Sequence, residues 1–205
     1  MNYKLFALIA IFSTVIFSSC TTTDDYEIDT EWKEYNEKIV METAANTEYT
    51  ARKTLGNNGY IYWKYVTDFI PDEKSSPSTK VTEDGTPYYT DSVTVRYTGW
   101  YLLKDETKYT FSTTEGDYNG VPKTFKVSAS MIKELTGTTY DKNTDGVATM
   151  LQYMKEGEQV EVCIPQRLGF SSTALSSVYI PAYTTLWFRI KLLKIIPGNK
   201  EEWDK

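Results

Sequence analysis

The stretch Leu186-Trp187-Phe188-Arg189-Ile190-Lys191-Leu192 sets polar Arg189 and Lys191 between apolar Phe188, Ile190 and Leu192. Successive strand side chains point to opposite faces, so this period of two specifies a β-strand with one face turned to a core. The same alternation recurs over residues 91–101, where Val93, Val95 and Tyr97 are spaced by Thr94 and Arg96 until Gly99 interrupts it. Strands of this kind predict a sheet covered on one side. Residues 59–69, 124–127 and 159–164 predict further strands, and a polar, turn-rich loop follows the first of them from Pro71 to Pro77. Helical spacing is found at residues 130–135 and 147–154, the second with Val147, Met150, Leu151 and Met154 on one stripe. A third helix is predicted between Glu31 and Ala45, where Trp32, Tyr35, Ile39 and Val40 recur at three- and four-residue spacing. Short helices are marginal alone in water, so its stripe is expected to pack on the chain's own sheet rather than on a partner. Few helices among several antiparallel-type strands specify an α+β domain.

The N-terminal segment has a different logic. Lys4 precedes an apolar run over residues 5–17, then Ser18-Ser19-Cys20. About 13 apolar residues are too few for a bilayer core needing roughly 20, and the layout is that of a secretory leader. Small residues directly before a cysteine resemble a lipobox, so Cys20 is expected to be lipidated, with acyl chains such as palmitate, after cleavage before it. At about 0.8 kcal/mol per buried methylene, two or more chains anchor a protein without a transmembrane helix. The expected organisation is a lipoprotein signal peptide at 1–19; a lipidated cysteine, acidic tether and helix at 20–56; one domain at 57–197; and a tail at 198–205. The expected location is the cell envelope, anchored to the outer membrane. With Cys20 acylated, Cys163 lacks an intramolecular disulfide partner and reads as a small strand residue.

Composition narrows the chemistry. A net charge of −6 without a basic block argues against nucleic acid as a partner. With no histidine in the chain, triads, imidazole bases and histidine-ligated zinc are excluded. No cofactor is expected, and a monomer is the default. Asp141-Lys142-Asn143-Thr144-Asp145-Gly146 fits the opening of a calcium loop, but its twelfth position is Gln152 instead of a bidentate glutamate. The preferred reading is a polar turn with Asp145 capping the helix that follows.

From the second strand onward the chain resembles a known family. Val93-Thr94-Val95-Arg96-Tyr97-Thr98-Gly99, Phe111-Ser112-Thr113-Thr114 and Pro122-Lys123-Thr124-Phe125-Lys126-Val127 are followed by Met131-Ile132-Lys133-Glu134-Leu135 and Asp145-Gly146-Val147-Ala148-Thr149-Met150. Met154-Lys155-Glu156-Gly157-Glu158, Leu168-Gly169-Phe170 and Ile180-Pro181 complete the series. In this order, over roughly residues 57 to 196, they resemble the FKBP-type peptidyl-prolyl cis-trans isomerases. The resemblance implies a curved, mostly antiparallel sheet wrapped over a short helix, preceded here by an N-terminal helical extension.

It also implies a proline pocket. Tyr97, Phe111, Ile132, Leu135, Phe170 and Phe188 stand at catalytic positions, and Ser112, Phe125, Met131 and Ile180 at substrate-binding ones. The Ile132 amide would donate to a ligand carbonyl. Four positions depart from the family: Ser112 stands for an aspartate, Lys123 for a wall phenylalanine, Leu135 for the floor tryptophan, and Phe170 for a hydrogen-bonding tyrosine. Core packing explains the aromatics without any ligand, and for Phe125 and Phe188 the two readings weigh the same. The implied activity is peptidyl-prolyl isomerisation, or binding of proline segments, on exported polypeptides. The alternative is a non-catalytic binding module for a protein or glycan partner.

Overall fold

The two alternating runs form the centre of one sheet. The computed structural model describes residues 29–69, 84–115, 120–128 and 145–198. Along them run helix α1 (Thr30–Ala45) and strands β1 (Thr50–Lys53), β2 (Tyr60–Tyr65), β3 (Ser92–Leu102), β4 (Lys108–Thr113) and β5 (Lys123–Lys126). Helix α2 (Asp145–Leu151), strand β6 (Gln159–Ile164) and strand β7 (Leu186–Ile196) complete the series. The strands form a seven-stranded sheet in the order β1-β2-β6-β7-β3-β4, with β5 also paired to β3. Every pairing is antiparallel. One edge of β3 pairs with β7 from Ser92↔Ile196 to Trp100↔Trp187, and its other edge is divided between β5 and β4.

The period of two fixes which side chains meet. Val93, Val95 and Tyr97 of β3, Val160, Val162 and Ile164 of β6, and Phe188, Ile190 and Leu192 of β7 share one buried cluster. Val147, Met150 and Leu151 of α2, with Met154 just beyond it, join the cluster, so the helical stripe read from the sequence is the one facing the sheet. This is the curved sheet over a short helix that the sequence implies.

Helix α1 joins the inner cluster through Trp32 and reaches the opposite face through Ile39, and here the single-sided expectation needs correcting. Ile39 packs in a second cluster with Trp100, Cys163 and Trp187, the two indoles being stacked at 6.3 Å, so the central strands are buried on both faces. Asp29 caps the helix by accepting from the Trp32 amide at 2.9 Å, a contact worth about 1 kcal/mol. The buried residues of α1 are Trp32, Asn36, Ile39 and Thr43, so polar Asn36 and Thr43 complete a stripe that hydrophobicity alone defines only in part. Among the described residues no helix is long and apolar enough to cross a membrane.

Candidate functional site

Tyr97 points from β3 into the inner cluster, 2% exposed. Its backbone is fixed by Thr114, directly after β4: the Tyr97 amide donates to Thr114 Oγ1 at 2.8 Å, and the Tyr97 carbonyl accepts from the Thr114 amide at 2.8 Å and its hydroxyl at 3.1 Å. The phenol oxygen lies 2.9 Å from Ser112 Oγ. Burial pushes the Tyr97 phenol above its ordinary 10.0, against a smaller downward pull from the Ser112 hydrogen bond. The tyrosine is therefore protonated at neutral pH. Because Ser112 stands where the family pattern has aspartate, this end of the site holds two neutral hydroxyls rather than a phenol and a carboxylate.

Two residues along the same strand, Gly99 opens space for an aromatic pair. Phe111 of β4 and Phe188 of β7 meet edge to face at 5.6 Å and 81°, and Gly99 pairs with both Phe188 and Ser112 in the ladder. A Cβ on Gly99 would lie 2.7 Å from carbons of both rings. The glycine that interrupts the alternation thus lets the rings close over the backbone. Phe188 is fully buried, whereas Phe111 is partly exposed and packs against the cluster.

Phe125, opposite Val93 on β5, joins the same cluster. So do Phe170 and Ile180, which come from the long connection between β6 and β7. That connection is folded on itself. Leu175 and Ile180 exchange backbone hydrogen bonds at 2.8 and 3.1 Å, and the Tyr183 amide donates to the Ser171 carbonyl at 2.7 Å. Ile180 is thereby held inward, while its neighbour Tyr179 sits at φ 55°, 72% exposed.

The fold brings Tyr97, Phe125, Phe170, Ile180 and Phe188 into one apolar assembly, with Phe111 and Ser112 at its border. Lys123 is exposed on β5. Met131, Ile132 and Leu135, like Cys20, lie outside the described residues, as do Asp141 and Asn143 of the calcium-like loop. Asp145 opens α2, where its carboxylate accepts from the Thr149 hydroxyl and the Asn58 amide nitrogen, each at 3.2 Å. Among the described residues no three acidic or cysteine side chains are grouped to hold a metal ion.

Three contributors escaped sequence reasoning as functional groups. Gly99 and Thr114 were visible as letters of the Tyr-Thr-Gly and Phe-Ser-Thr-Thr words, but their roles are steric and backbone-directed, which spacing does not reveal. Tyr101 had no signal at all. Its hydroxyl donates to the Tyr179 carbonyl at 2.8 Å, a contact across 78 positions of sequence.

Among the described residues, an apolar, aromatic face of this kind has the chemistry to hold a ring and exclude water. Solved structures share the architecture. A peptidyl-prolyl cis-trans isomerase from Pseudomonas syringae pv. tomato matches with a TM-score of 0.53 at 17% identity, over 82% of this chain and 96% of that one. FkpA from Escherichia coli matches with a TM-score of 0.55 at 18% identity, over 82% of this chain and 61% of that one. At these identities the likeness is one of fold. No curated protein matches the chain. The sequence model of the FKBP-type peptidyl-prolyl cis-trans isomerases matches residues 83–193, from just before β3 into β7. That span is more than half of the chain and contains Tyr97, the aromatic pair and Ile180, and the protein belongs to the FKBP-type peptidyl-prolyl cis-trans isomerase family.

Proposed function

We propose that this chain isomerises X-Pro bonds, or holds proline segments during folding, in exported polypeptides at the cell envelope, where Cys20 carries its lipid anchor. The observation that carries the reading is the Phe111–Phe188 pair closed over Gly99 beside the Ser112-bonded Tyr97, in the same buried apolar cluster as Phe125 and Ile180.

The chemistry asks for no more than this. Rotation about an X-Pro bond crosses a barrier of about 18–20 kcal/mol because the twisted amide gives up its resonance. The planar imide is the more dipolar form and gains more from water. A site that buries the proline ring and strips water from the imide therefore binds the twisted state better than the planar one. Each ~1.4 kcal/mol of that difference is tenfold in rate. Within this scheme Phe111 and Phe188 supply ring contact, and Tyr97 is held by Ser112 and Thr114. Ile132 would offer its amide to the substrate carbonyl.

A second reading is favoured by one feature of the site. Phe170 is buried and has no hydroxyl, and Ser112 provides no fixed negative charge, so two polar handles of the family pattern are missing. A lost hydrogen bond of this kind is worth about 0.5–1.5 kcal/mol. The corresponding function is that of a binding module without turnover, for a protein partner, proline segments included, or for a glycan. Isomerisation of short X-Pro peptides by the purified protein, beside a Tyr97→Ala variant, separates the two. Rate enhancement lost in the variant supports catalysis. Peptide binding without enhancement at high protein concentration supports the binding module.

A further inference from the structure

The connection that carries Phe170 and Ile180 is gripped from outside the family core. Helix α1 holds it at two adjacent residues. Trp32 Nε1 donates to Thr184 Oγ1 at 3.2 Å, and the Thr185 amide donates to Asn36 Oδ1 at 2.7 Å, with the Thr185 hydroxyl donating to the Asn36 carbonyl at 3.2 Å. Asn36 is 1% exposed, and its Nδ2 donates to the Trp32 carbonyl at 2.9 Å, which turns the amide oxygen toward Thr185. A third hold comes through Tyr101. Its ring packs edge to face on Trp32 at 6.0 Å and its hydroxyl donates to the Tyr179 carbonyl, one residue before Ile180.

A buried asparagine is costly on a helix face that only needs to be apolar. Here both ends of the Asn36 amide are used, and the acceptor end is spent on the pocket connection. We infer that α1, together with Tyr101 of β3, is a positioning element of the proline site, with Trp32, Asn36 and Tyr101 as positioning residues that hold the 179–185 segment, and so Ile180, in its binding-ready place. This rests on the proposed function of the site. A segment that is already ordered does not have to be ordered by the ligand, and loosening it lowers affinity without altering the step that follows binding.

The test uses the full chain and three substitutions. Tyr101→Phe deletes only the hydroxyl on Tyr179, and Asn36→Ala removes the contact to the Thr185 amide. Tyr35→Phe is the control, because the Tyr35 hydroxyl ties the same helix to the Leu103 carbonyl at 2.5 Å, away from the pocket connection. Amide hydrogen exchange at Ile180, Tyr183 and Thr185 is expected to quicken in the first two variants and not in the control. On X-Pro peptides the same two variants are expected to show KM raised about three- to tenfold with kcat little changed, and the control neither effect. A merely structural helix would lower the melting temperature in all three and leave KM alone. Unchanged exchange in Tyr101→Phe and Asn36→Ala overturns the inference, as does quickened exchange with unchanged KM. A wild-type chain that neither binds nor turns over proline peptides overturns the proposed function and this inference with it, and the exchange data, which need no substrate, separate that failure from failure of the clamp.

Discussion

Gly99 and Thr114 set the geometry around Tyr97 without presenting any group to a ligand. Gly99→Ala would place a methyl 2.7 Å from both Phe111 and Phe188, forcing the rings apart. A loss of about 1–3 kcal/mol is expected, read as a lower denaturant midpoint, together with weaker peptide binding. Thr114→Val keeps the shape and removes the acceptor of the buried Tyr97 amide, at a cost of about 1–3 kcal/mol by the same measurement. Cys163 is a third case. Burial, with a smaller push from the Glu161 carboxylate, raises its thiol to about 12, so in a Cys20→Ser chain it should react with a thiol reagent at pH 8 only as fast as the fold opens. At this scale the sequence was informative where an aromatic side chain does the work, as at Tyr97 and Phe188. It was mute at Thr114, whose contribution is two hydrogen bonds to a backbone.

Between elements, the outer face of the sheet is pinned by a polar cluster as well as by α1. Glu161 of β6 accepts from the Tyr49 hydroxyl at 2.6 Å and from Arg189 Nε of β7 at 2.8 Å, with Lys64 of β2 at 3.9 Å. Burial alone would raise the Glu161 carboxyl, but the hydrogen bonds from Tyr49 and Arg189 and the nearby cations hold it below its ordinary 4.5. A depressed carboxylate lends stability above its unfolded value, and that stability is lost as pH falls through the folded value. Melting temperature should therefore drop as pH falls below about 4.5 in the wild type. Glu161→Gln should melt lower at neutral pH and show a flatter acid limb. Tyr49 behaves in the opposite sense. Burial and its bond to Glu161 raise it well above 10.0, so its contribution is lost as pH climbs past 10.0. The elements legible in the sequence were α1, β2, β3, β5, β6, β7 and the stripe of α2, most clearly where the period is strong. β1 and β4 were not, because Thr50-Ala51-Arg52-Lys53 lies largely exposed at the sheet edge and Lys108-Tyr109-Thr110-Phe111-Ser112-Thr113 interleaves mostly polar residues. The reach of α1 into the pocket connection was hidden for a related reason, since its key residue, Asn36, is polar on the buried face.

For the whole molecule, the proposed anchor at Cys20 is tested apart from the folded domain. Cys20→Ser is expected to shift the protein from the membrane to the soluble fraction of the cell envelope without changing its melting temperature; retention in the membrane fraction would contradict the anchor. The central claim is that the site acts on X-Pro bonds, and turnover is the form of that claim that sets it apart from holding alone. It is tested most directly by the refolding of an unrelated polypeptide whose slow phase is limited by X-Pro isomerisation, a process of tens to hundreds of seconds uncatalysed. Substoichiometric protein is predicted to shorten that phase in proportion to its concentration, and Tyr97→Ala to lose the effect. A slow phase left unchanged by substoichiometric protein, or retarded only once the protein equals the refolding chain, would contradict catalysis.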